Sequence, residues 1–183
     1  MATLLATHSV GATPETFALL ALMHLHAARQ DATGGLLLLE EQDRSRWDHA
    51  GIQMGIQWLA RAASGTTFTR YHAEAGIAAE HCLAPSFAVT RWSEIANLYA
   101  MLQRIDPSPL HTLNRAVAVA EWKGPDVALK LLEGLVPPSW LEDHYLWAAV
   151  LADLHRRAGH LEQADQYREQ ALIAAPTEPV RGA

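Results

Sequence analysis

Ten histidines and one cysteine are the residues here that most invite a chemical reading, and metal binding is the first chemistry to consider. Two imidazoles share an ion when they stand at i and i+4 on one helix face or converge from elsewhere. His24 and His26 are two apart on a helix and face different ways, His155 and His160 straddle a turn, and His81 and Cys82 are adjacent. Packed or surface histidines are the simpler reading, and no metal site is expected. Nucleophilic catalysis fares no better. There is no Gly-x-Ser-x-Gly elbow, and Cys82 lies in an alanine-rich stretch without a cationic cluster nearby in sequence, which suits a buried inert thiol. Glycine-rich phosphate loops are missing as well. The expectation is a chain that is not an enzyme and holds no cofactor, although a site assembled only in three dimensions stays open.

The densest polar run is Glu40-Glu41-Gln42-Asp43-Arg44-Ser45-Arg46-Trp47-Asp48. Two readings of it stand. In the structural one, favoured, Asp43 or Ser45 caps the following helix, Asp48 complements its dipole, Trp47 packs inward and the arginines pair with neighbouring acids. In the functional one, arginine and tryptophan beside carboxylates make an interaction surface. Asn114-Arg115, further along, either pairs internally or reaches a ligand on a concave face. The six tryptophans read mainly as packing residues.

The elements that must position these residues are helices. Thr13-Pro14-Glu15 is an N-cap, a first-turn proline and an acidic first turn, opening a helix to about Gln30. Paired glycines at Gly34-Gly35 break the pattern, and Leu36 to Leu39 reads as an extended connection. Helices follow at about Ser45 to Ala63, Phe68 to Leu83 and Trp92 to Asp106. Beyond Pro107 they fall at about Leu110 to Trp122, Pro125 to Leu135, Leu141 to Ala158 and Leu161 to Ala174, with turns at Gly124 and Gly159. Leu151, Gly159, Leu161, Ala164, Tyr167, Ala171, Leu172 and Pro176 fall at tetratricopeptide offsets, and Pro107 and Pro176 lie about two 34-residue periods apart. The expected fold is all-α: stacked antiparallel helix pairs in a tetratricopeptide-like right-handed array of about eight helices. One domain over residues 1–183 is expected, with N-terminal helices and the polar run at 12–90, repeats at 91–176 and a tail at 177–183.

Composition narrows the partners. With 50% hydrophobic and 19% charged residues the chain can bury a core. A formal net charge of -6 and scattered lysines and arginines disfavour direct nucleic-acid contact. A lone cysteine and the lack of a leader or a spanning apolar run point to a cytoplasmic protein without membrane contact.

Together, the run LLLLEEQDRSRWD from Leu36 to Asp48, the segment Trp92 to Tyr99, PLHTLNRAVAVA from Pro109, LHRRAGHLEQA from Leu154 and APTEP from Ala175 resemble the C-terminal extension of a group of extracytoplasmic-function (ECF) sigma factors. The resemblance spans nearly the whole chain, and the first run and LNRAVAVA are its specific parts. It implies a non-enzymatic tetratricopeptide-like extension that controls or supports sigma activity, with the sigma regions of the same polypeptide and the RNA polymerase core as partners. The promoter-reading regions are missing, so it also implies a fragment of a longer protein. Glu41, Gln42, Asp43, Arg44 and Trp47 match the most characteristic run and are the contact residues it implies. The alternative is an independent tetratricopeptide scaffold for a peptide or protein partner.

Overall fold

The computed structural model describes residues 11–30 and 39–176. Those residues form nine α-helices and no strand, as an all-α array requires. They divide into two compact units, Met1–Asp106 and Pro107–Ala183. Residues 36–38 of the expected extended connection, and the whole expected tail at 177–183, lie outside the described residues.

In the first unit, α1 (Pro14–Ala27) is capped by the Thr13 side chain, which accepts from the Thr16 amide at 3.2 Å. It packs against α2 (His49–Ala62) and α3 (Arg70–Leu83), and α3 packs against α4 (Trp92–Ile105). One core cluster joins Leu25, Ala28, Trp47, Ile52, Ala78 and Ala79; another joins Phe17, Ala18, Leu20 and Ala62, with Trp58 stacked on Phe17. Gly55 allows the α1–α2 approach, because a Cβ there would stand 2.7 Å from Leu25 Cγ.

The second helix starts later than its periodicity suggests. Residues Arg44–Arg46 make a separate 3₁₀ turn, Trp47 is extended, and Asp48 is the N-cap, its carboxylate accepting from the Gly51 amide at 3.0 Å. Trp47 has to leave the helical path to bury its ring between α1 and α3. The Asp48 amide fixes that exit by donating to Ala28 O at 3.0 Å.

In the second unit, α5 (Pro109–Lys123) packs on α6 (Pro125–Leu132), and α8 (Tyr145–Arg157) on α9 (Leu161–Ala174), with the single turn α7 (Ser139–Glu142) against α8. Gly124 and Gly159 adopt φ of 93° and 81° at the two tight turns, where a side chain would be strained. Two expected boundaries shift. The helix expected to reach Leu135 stops at Leu132, just before Gly134 at φ 82°. The helix expected from Leu141 is interrupted after Glu142, where the His144 side chain accepts from the Leu146 amide and starts α8. Of the repeat-signature residues, Leu151 and Ala164 are buried and Tyr167 stacks on His155, whereas Leu161 and Leu172 face outward.

Candidate functional site

The polar run is held at the C-terminal end of α3. Such an end presents carbonyls that have no partner within the helix and carries partial negative charge. The Arg44 guanidinium meets both needs: Nη1 donates to His81 O and to Ala84 O, the latter at 2.9 Å. Its Cζ also lies 4.8 Å from the centre of the buried Trp47 ring, a cation–π contact that stacks the planar group between indole and backbone.

Asp43 caps the 3₁₀ turn, accepting from the Ser45 amide at 3.0 Å and the Ser45 hydroxyl at 2.6 Å. Those hydrogen bonds hold its carboxyl below the usual range. The division of labour therefore differs from the sequence expectation in two details. Asp48, and not Asp43 or Ser45, caps α2, and Arg44 binds carbonyl oxygens of α3 where neighbouring acids were expected. Trp47 packs inward as its type suggests. Glu41 and Asp43 are exposed, and Gln42 is half-buried.

Asn114 and Arg115 lie on α5, in the second unit. Both are half-buried, and Arg115 Nε is a buried donor without a hydrogen-bond partner.

Beside Arg44, Arg29 also comes near the adjacent pair His81 and Cys82, a proximity the sequence gave no reason to expect. Arg29 follows α1, and His81 and Cys82 end α3; Arg29 and Arg44 both act electrostatically on His81 and on Cys82. Burial, assisted by Arg29, Arg44 and His26, pushes the His81 imidazole down to about 4. Burial pushes the Cys82 thiol up despite the two guanidinium groups, and its Sγ points at Leu25 O at 3.6 Å. Cationic neighbours activate a thiol only where solvent or hydrogen bonds can also support the thiolate, so Cys82 stays a thiol. The cationic neighbourhood was invisible in sequence because Arg29, Arg44 and His81 belong to three separate stretches of chain.

Elsewhere, His155 Nδ1 and His160 Nδ1 are 3.3 Å apart. Among the described residues no group of three or more histidine, cysteine or acidic side chains is arranged to hold a metal ion. No helix among them is long and apolar enough to cross a membrane.

No solved structure matches this chain. Over 159 residues, 86% of the chain, it is 44% identical to an uncharacterized protein of Rhizobium meliloti (strain 1021). The chain spans 37% of that relative's length. Residues 1–63 match a family described as one of unknown function (DUF6596), a match that takes in the whole polar run and α2.

Proposed function

We propose that this chain is the regulatory C-terminal domain of an ECF-type sigma factor, modulating transcription initiation through contacts with the sigma regions of its own polypeptide or with the RNA polymerase core. The observation that carries the reading is the state of the polar run. Arg44, Trp47 and Asp48 anchor it rigidly to α1, α2 and α3, while Glu41 and Asp43 remain exposed on the anchored segment. A pre-ordered acidic edge loses little conformational entropy on docking, which favours a specific protein contact. The net charge of -6 favours a protein partner over a phosphate backbone, and the resemblance of the motifs to the sigma-factor extension selects which protein. A relative much longer than this chain is consistent with a domain that works beside others.

Regulation would operate by differential contacts with two states of the sigma regions, shifting their populations. The test is promoter-directed transcription in vitro by the intact Rhizobium relative and by a version lacking the matching 159 residues. The reading expects a changed rate of initiation on the truncated protein's promoter. Equal initiation by both proteins contradicts it.

A second reading, an independent scaffold for a peptide partner, draws support from α9. Leu161 and Ile173 on that helix are 66% and 77% exposed, large apolar groups of the kind that a docked segment covers.

A further inference from the structure

The turn that joins α8 to α9 sets two imidazoles side by side, and the cause lies in the backbone. Gly159, at φ 81°, donates its amide to Arg156 O at 3.1 Å, and the His160 amide donates to His155 O at 2.9 Å. These two bonds close a Schellman cap, which carries the residue after the glycine back over the residue five positions earlier. A hydrophobic contact often fills that place. Here His155 and His160 fill it, and the Tyr167 ring of α9 stacks on His155 with centroids 5.5 Å apart and planes 11° from parallel.

Nδ1 of His155 and Nδ1 of His160 stand 3.3 Å apart, farther than most N–H hydrogen bonds reach. Two nitrogens bound at about 2.0–2.1 Å to one tetrahedral ion stand about 3.3 Å apart, whereas the right angle of a square-planar ion asks for about 2.9 Å. The pair therefore matches a tetrahedral bite. Access and charge suit a cation as well. His160 is exposed and His155 half-buried. Burial and the neighbouring His160 hold the His155 imidazole below its ordinary range, which leaves a ring nitrogen free to bind metal at neutral pH. Arg156 and Arg157, between the two in sequence, are already paired, Arg156 with Asp153 at 2.6 Å and Arg157 with Glu121 and Asp153.

We propose that His155 and His160 form a two-point chelate for a divalent metal ion of tetrahedral preference, zinc above all, bound through both Nδ1 atoms with water at the remaining positions. The backbone cap and the Tyr167 stack hold the two rings in place before the ion arrives, so little freedom is lost on binding. Two protein ligands leave the coordination shell open, unlike the four that close a structural zinc site, and the ion exchanges with solvent. Bound there, it clasps the last turn of α8 to the residue that precedes α9. The site lies in the second unit, away from the polar run, and it stands or falls separately from the sigma-factor reading.

The test is a titration of the whole chain with zinc chloride near neutral pH, in a buffer that does not bind metal, followed by NMR at the histidine ring nitrogens. The chelate predicts that His155 Nδ1 and His160 Nδ1 shift together, with one shared midpoint below that of the other histidines. His160→Gln, with helicity retained by circular dichroism, should raise the zinc midpoint at His155 at least about tenfold, because the second attachment is lost. His155→Gln should do the same at His160. Three results each overturn the proposal: no zinc-dependent shift at this pair in the unmodified chain, separate midpoints for the two rings, or a His155 midpoint unchanged in His160→Gln.

Discussion

Arg44 binds two carbonyl oxygens of α3 and one indole face at once, so its removal is costly in a way its half-exposed position conceals. Arg44→Ala leaves the α3 carbonyls unpaired and is expected to destabilise the chain by about 3 kcal/mol in urea unfolding. Arg44→Lys should recover only part of this, since a point charge cannot serve two carbonyls and a ring together. Asp43→Ala, which uncaps a single exposed 3₁₀ turn, should cost clearly less than Arg44→Ala. Equal losses for Arg44→Ala and Asp43→Ala would contradict the capping account. His81 adds a pH dependence of definite sign. Its ordinary value is 6.5 and its folded value about 4, so the native imidazole stays neutral where the unfolded one takes a proton. The stabilisation is complete above the ordinary value and is lost as pH falls from 6.5 toward 4, by up to about 3 kcal/mol. In His81→Gln that part of the pH slope should vanish, which unfolding midpoints measured across the window will show.

At the scale of elements, glycines separate close approach from simple turns. Gly55→Ala improves helix propensity yet drives a Cβ to 2.7 Å from the branch carbon of the fully buried Leu25 and to 3.3 Å from Ala21 O. A net loss of about 1 kcal/mol is expected. Gly76→Ala, whose Cβ meets the flexible Leu98 side chain, its terminal carbons at 3.1 and 3.3 Å, should be neutral or slightly stabilising. Thermal unfolding of the two variants side by side checks the ranking.

Helix existence was legible for all but the single turn α7, because capping residues, prolines and glycines punctuate the chain, and α9 begins and ends where its periodicity says. What failed were boundaries set by tertiary demands. Trp47 reads as the first apolar residue of a helix, yet its ring is needed between α1 and α3, and the chain turns to deliver it. Leu161 and Leu172 fit a repeat signature that normally faces inward, and this chain leaves both outward. The polar run was recognisable as a cluster, and its structural reading was right in kind. Its partners were not legible, because His81 and Ala84 lie 37 and 40 residues from Arg44. The second unit repeats the device: Arg157 pairs with Glu121 and donates to Ala120 O at 3.3 Å, tying the end of α8 to the end of α5 from 37 residues away.

For the whole molecule, the acidic balance fits the protein contact proposed above better than contact with a phosphate backbone. Glu41 is exposed on the anchored run, and Glu41→Lys reverses its charge. The most direct measurement is binding of the purified chain to RNA polymerase core and to the remaining part of the Rhizobium relative, with Glu41→Lys beside the unmodified chain. The account predicts saturable binding to one of the two, weakened at least about tenfold by Glu41→Lys at unchanged helicity. No binding to either, or binding indifferent to that charge reversal, would contradict it.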